Sequence, residues 1–190
     1  MMAETKKGPI LVTTFFRFED LSQEKEALRE ELQALQELRG LVLIAGEGIN
    51  GTIAGVEEAV LRFRQALENR PKLAGMEYKD SYCEKNPFPR WKVELKDQVI
   101  QYMDKFRPKG EHNHLSAAEW HALLQSGQEL TVLDTRNRYE TKVGTFKNAI
   151  DPEIDKFTEF TGYLDACDLP KDRTTLIFCT GGIRCEKAIL

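Results

Sequence analysis

Two periodicities alternate along this chain, and their order predicts its layers. Ile10–Phe18 repeats every second residue, with Ile10, Val12, Phe16 and Phe18 on one face, which predicts a strand. A period near 3.6 follows: Ala27, Leu28, Leu32, Leu35 and Leu38 form an apolar stripe. The predicted helix starts at a capping pair of Asp20 and Gln23, runs to about Arg39 and ends at Gly40. Leu41–Ala45 and Thr52–Ala54 read as short strands around a glycine-rich turn. Val56, Val60, Phe63 and Leu67 mark a second helix, and strands near Met76–Cys83 and Trp91–Leu95 complete the pattern. The order β-α-β-β-α-β predicts two helices on one face of an antiparallel sheet, a ferredoxin-like α+β domain over 1–103.

The pattern breaks at 104–114, DKFRPKGEHNH, which is polar, holds Pro108 and Gly110 and reads as a linker. A second domain over 115–190 opens with an S-x-x-E capping box, Ser116 and Glu119, with Leu115 and Trp120 spaced as a hydrophobic staple. Val132-Leu133 predicts a strand ending at Asp134, and Leu176–Phe178 one ending at Cys179. Strands alternating with helices imply a parallel α/β sheet, whose ligands bind beyond the carboxyl ends of its strands.

The composition narrows the function classes. Of the 190 residues, 41% are hydrophobic and 31% charged, as in a soluble protein, and no apolar run approaches a membrane span. The N-terminus lacks a signal-peptide pattern, which predicts a cytoplasmic protein. The four cysteines are too irregularly spaced for a disulfide scaffold or a zinc site, and Cys83 and Cys167 read as reduced thiols. His112 and His114 read as solvated linker residues rather than metal ligands, and His121 as structural. No facial triad of metal ligands and no flavin fingerprint is legible, so no metal or cofactor is assigned. Nothing in the pattern specifies an oligomeric state.

A net charge of −4 excludes a uniformly basic nucleic-acid coat but leaves room for a local patch. Lys85, Arg90, Lys92, Arg107 and Lys109 lie in a stretch interleaved with Trp91, Tyr102 and Phe106, which suits phosphates and stacked bases. The same stretch also reads as a strand with a solvated face followed by a polar linker. Gly46-Glu47-Gly48-Ile49-Asn50-Gly51 matches the dinucleotide-binding GxGxxG, but its third glycine opens no helix. Asn50-Gly51 signals a hairpin turn, so the glycines are assigned to the hairpin.

The strongest chemical signal is TTLIFCTGGIRCEK, Thr174–Lys187. A buried strand delivers Cys179 into a short loop, and Cys185 starts a helix. Loop amides and a nearby arginine lower a thiol pKa from about 8.5 to roughly 3.5–7.5. Cys179 is therefore the candidate reactive thiol, at the head of the loop Thr180, Gly181, Gly182, Ile183 and Arg184. Arg184 either faces a bound anion, the reading its place on the loop favours, or pairs with a carboxylate. Cys185 either resolves an oxidised Cys179 or only starts the helix. Arg136 and Glu140 read as an internal ion pair, and Asp134 as a residue near the pocket.

DTRNRYE, GTFKNAI and CTGGIR together resemble a rhodanese domain. Four residues separate Cys179 from Arg184, as in sulfurtransferase loops, where related phosphatases use five. In such domains the cysteine cycles through a persulfide held by loop amides, so the resemblance implies that Cys179 is the nucleophile and that Thr180, Gly181, Gly182, Ile183 and Arg184 form its cradle. With GEGINGTIAG in a ferredoxin-like domain and the tail CTGGIRCEKA, the chain resembles the oxygen-dependent tRNA wobble-uridine hydroxylases. That resemblance implies a tRNA partner, molecular oxygen as co-substrate with no electron source named, and 5-hydroxyuridine as product through a Cys179-dependent reaction. It also implies that the basic stretch faces RNA and that the rhodanese domain, which normally continues past the loop, is incomplete at Leu190. A rhodanese-type sulfurtransferase passing sulfur through a Cys179 persulfide is the alternative.

Overall fold

A computed structural model describes residues 8–102 and 114–188. The chain divides into two compact units, Met1–Ile100 and Gln101–Leu190. Most of the expected linker, including Pro108 and Gly110, falls outside the described residues, as do Phe106, Arg107, Lys109 and His112.

The first unit contains β1 (Ile10–Phe18), α1 (Lys25–Gln33), β2 (Arg39–Ala45), β3 (Gly48–Gly55), α2 (Glu57–Glu68), β4 (Lys79–Cys83) and β5 (Trp91–Leu95). The sheet order is β4-β1-β3-β2-β5. Its first three pairings are antiparallel, and β5 lies parallel to β2 at the edge. Residues pointing to the helix side form the core. Leu11 and Phe15 of β1 meet Val42, Ile44, Ile49 and Ile53, and the helices contribute Leu28, Leu32, Val60 and Phe63. Each such side chain removed from water contributes roughly 1.5–3 kcal/mol. The Ile10, Val12, Phe16 and Phe18 stripe points the other way and stays half-buried on the open face.

Local predictions here need three corrections. Helix α1 stops at Gln33, because residues 34–38 turn tightly through Leu35 N–H to Leu32 O and Leu38 N–H to Leu35 O. That turn seals Leu38 in the core, and Gly40 lies inside β2, donating to Arg90 O at 2.7 Å. At the other end, Asp20 accepts the Ser22 N–H in a local turn, and α1 follows Glu24 with no side-chain cap. The hairpin turn is Gly46-Glu47, and Asn50-Gly51 sits inside β3. Gly51 is needed for close approach: a Cβ there would lie 2.8 Å from both Leu41 O and the Phe15 ring.

The second unit contains α3 (Ala117–Gln125), β6 (Leu130–Asp134), α4 (Arg138–Thr141), a 3-10 turn (Phe157–Glu159), α5 (Phe160–Ala166), β7 (Thr174–Phe178) and α6 (Ile183–Ala188). Strands β6 and β7 pair in parallel. Val132, Leu133, Leu176, Ile154, Phe160 and Ile183 are buried around them. The capping box at α3 forms: Ser116 Oγ accepts from Glu119 N–H, and Glu119 accepts the Ser116 N–H at 2.7 Å. Trp120 rests on Phe146 and Phe178, whereas His121, expected to be structural, is exposed.

Candidate active site

The two parallel strands end side by side, Asp134 beside Phe178 in register, so the loops leaving them share one edge. Cys179 is the first residue past β7 and is half-buried. The chain then doubles back through Gly182, whose φ of +95° suits a residue without a Cβ. Gly182 N–H consequently points at Cys179 Sγ at 3.0 Å. Four influences on the thiol lower its pKa. The Cys185 side chain is the largest, followed by the N–H groups of Cys185 and Arg184 and the Arg184 charge, and together they outweigh burial. Cys179 falls to about 6, so the thiolate predominates at neutral pH. Cys185 is pushed the opposite way, because it is the hydrogen-bond donor to that thiolate and is itself buried. One sulfur is thus held as a thiolate and the other as its proton-bearing neighbour.

Two carboxylates order the chain here, Glu140 by holding this loop and Asp134 by bracing the segment that leaves β6. Glu140, on α4, receives Arg184 in a bidentate pair, Nη1 to Oε2 at 2.7 Å and Nη2 to Oε1 at 2.8 Å. It also accepts the Thr180 hydroxyl at 2.5 Å. Burial raises the Glu140 pKa, but the Arg184 and Thr180 hydrogen bonds overcome this and bring it to about 2. Asp134 is fully buried and accepts Arg136 Nε at 2.9 Å, Arg136 Nη2 at 2.7 Å and the Thr145 hydroxyl at 2.8 Å. Arg136 reaches on to Gly144 O at 2.6 Å and covers the Phe178 ring. The motifs DTRNRYE and GTFKNAI therefore act as clasps around the ends of β6 and β7.

Several expected roles change. Arg136 pairs with Asp134 rather than with Glu140. Arg184 is committed to Glu140 instead of standing open to an anion, so its charge acts on the thiolate from a fixed position. Ile183 is buried and anchors the loop to the core, leaving Thr180, Gly181 and Gly182 as the accessible part of the cradle. His114 does not stand alone in solvent: its Nε2 meets Glu186 Oε1 at 2.6 Å. Sequence reasoning missed the Glu140 clasp. Helix α6 begins at Ile183, earlier than the expected start at Cys185, so Arg184 lies in its first turn. Such a half-buried arginine demands a carboxylate, but its partner lies 44 residues away.

The basic stretch is only partly assembled. Lys85 and Arg90 are exposed, and Lys92 is shared with Glu94 at 3.6 Å. Of the aromatic residues expected among them, Trp91 packs edge-on against Phe63 and donates to Leu32 O, and Tyr102 is buried against Phe157. Neither offers a face to a base.

Residues 10–99 match the UPF0176 acylphosphatase-like domain family. Over 188 residues the chain is 40% identical to the tRNA uridine(34) hydroxylase of Bdellovibrio bacteriovorus. This chain is a homologue of that hydroxylase. The match covers 94% of this chain and 53% of the relative, so the chain spans about half the relative's length. Among solved structures, the BLUF protein BlrB in its dark state aligns at 19% identity with a TM-score of 0.35, covering 47% of this chain and 72% of that one. An acylphosphatase from Coxiella burnetii aligns at 14% identity with a TM-score of 0.31, covering 50% of this chain and all of that one. Those structural likenesses are too slight to carry an inference about activity.

Proposed function

We propose that this chain belongs to a cytoplasmic tRNA-modifying enzyme that hydroxylates the wobble uridine to 5-hydroxyuridine, with molecular oxygen as co-substrate. Its second unit is read as a rhodanese domain, with Cys179 as the reactive group on the loop. The observation that carries this reading is the 40% identity to a protein named tRNA uridine(34) hydroxylase, which runs through both units. Support for Cys179 comes from its depressed pKa and from the Gly182 N–H aimed at its sulfur. In this reading the chain's own residues hold a sulfur nucleophile ionised, fix its direction and keep the neighbouring Cys185 protonated.

The test is mass spectrometry of tRNA nucleosides from cells lacking their own hydroxylation pathways and complemented with wild type or Cys179→Ser. Wild type is expected to restore 5-hydroxyuridine and the variant to leave it absent. Equal restoration by both would remove the cysteine from the reaction.

The amides around Cys179 also favour the sulfurtransferase alternative. There the thiolate attacks the outer sulfur of thiosulfate, forming an S–S bond as sulfite leaves, and the persulfide charge rests on the loop N–H groups. Cyanide-dependent thiocyanate release from thiosulfate, lost in Cys179→Ser, would identify that activity.

A further inference from the structure

A groove of about 660 Å³ lies on the sheet face that the helices of the first unit leave uncovered. Its floor is Leu41 and Leu43 of β2 with Asn50 and Thr52 of β3, the residues that alternate with the core positions Val42, Ile44, Ile49 and Ile53. Its wall is Phe88-Pro89-Arg90, followed by Lys92 on the edge strand β5. Leu41 remains 40% exposed, although a leucine on a sheet ordinarily gains by burial. Phe16 stands opposite Asn50 in register and extends the apolar face onto β1, where it meets Phe18 edge-on.

We propose that this groove binds an unpaired segment of RNA, with bases laid on the Leu41, Leu43 and Phe88 surface and phosphates on Arg90 and Lys92. The proposal rests on the tRNA reading above and specifies where and in what form the RNA is held. Charge selects the occupant. The lining holds two cations and no carboxylate, in a chain whose net charge is −4. Among the described residues Arg90 makes no ion pair. The nearest acid on the edge strand, Glu94, is held chiefly by Lys96 at 3.0 Å and only loosely by Lys92 at 3.6 Å.

Shape and polarity select the unpaired state. A sheet face accepts splayed bases, whereas paired RNA buries its base faces and offers phosphates and 2′-hydroxyls. The floor also carries groups that read base edges. Asn50 spends its amide N–H on Val99 O at 3.4 Å, which leaves its carbonyl oxygen for a donor. The Thr52 hydroxyl is shared with Thr14 at 3.0 Å and can turn toward a ligand. This arrangement replaces Trp91 and Tyr102, which the fold withdraws, with Phe88 and the leucines as the surface for bases.

The test is fluorescence anisotropy with the full chain and three probes: a whole tRNA transcript, a hairpin carrying an anticodon stem and loop, and a blunt RNA duplex of the same length. Arg90→Gln with Lys92→Gln is expected to weaken hairpin binding roughly tenfold and to reduce the log–log salt slope by about 1.4, two phosphates at about 0.7 each. Leu41→Gln, at a position already 40% exposed and with its fold checked by circular dichroism, is expected to weaken binding several-fold with the salt slope unchanged. Lys25→Gln with Arg29→Gln, on α1, is the control and should leave both quantities as in wild type. Wild-type tRNA binding with unchanged affinity and slope in the groove variants would overturn the groove while leaving the tRNA reading intact. Duplex binding as tight as hairpin binding would overturn the preference for unpaired RNA. Failure of the wild type to bind any of the three probes would defeat the tRNA reading, and this proposal with it.

Discussion

The two units of this chain are held together by different forces. In the first, a continuous apolar core joins sheet and helices, and Phe15, Phe63, Leu28, Ile44 and Ile53 are all at 2% exposure or below. In the second, the buried apolar set among the described residues is smaller, with Val132, Leu133, Ile154, Phe157, Phe160, Leu176 and Ile183, and helix α3 buries none of its residues. Order around Cys179 comes instead from polar clasps, Asp134 with Arg136 and Thr145, and Glu140 with Arg184 and Thr180. An apolar core gives rigidity without direction, whereas hydrogen bonds and paired charges fix where a particular N–H or cation points. A reactive thiolate needs the second kind of order, and a platform for a large ligand needs the first.

This contrast can be broken by mutation, the largest effect being expected in the apolar core. Phe63→Ala should cost about 3–5 kcal/mol, with urea unfolding monitored through hydrogen exchange in β3. Glu140→Gln should follow at roughly 2–4 kcal/mol, read from β7 and α6, because it strands the Arg184 guanidinium in a half-buried site. If Glu140→Gln proves harmless, the clasp is not what orders the loop. Acid should separate the units in the same direction. The folded-state pKa of Glu140 lies at about 2, below its unfolded value of about 4.3, so its contribution is fully present above the unfolded pKa. It is lost as pH falls from about 4.3 toward about 2, and Asp134, also lowered, adds in the same sense. Exchange protection in β7 should therefore fail at a higher pH than in β3. Thr180→Ala is the smallest change, about 1 kcal/mol, since it removes one hydroxyl from Glu140 and leaves the bidentate arginine in place.

What was legible in the sequence follows the same division. The strand alternation in β1 and the stripes of Leu28, Leu32, Val60 and Phe63 gave the layers of the first unit, because burial imposes a period that a linear pattern records. Asn50-Gly51 misled because glycine there serves the approach of the Phe15 ring, not a turn, and only the neighbouring strand reveals that need. Trp91 and Tyr102 looked available to RNA because spacing alone does not tell which face of an element is covered. In the second unit Cys179 was legible from its position at the end of an apolar strand. Glu140 was not, since its role is defined by contacts with Thr180 and Arg184, 40 and 44 residues away.

The central claim is that the Cys179 sulfur is ionised at neutral pH because the surrounding loop hydrogen-bonds it. Iodoacetamide alkylation across pH tests this most directly. Trypsin cleavage after Arg184 places Cys179 and Cys185 on separate peptides, so each rate can be followed by mass spectrometry. The Cys179 rate should rise through a midpoint at about 6, while Cys185 stays slow throughout that range. A Cys179 midpoint near 8.5, the value of an unassisted thiol, would contradict the account.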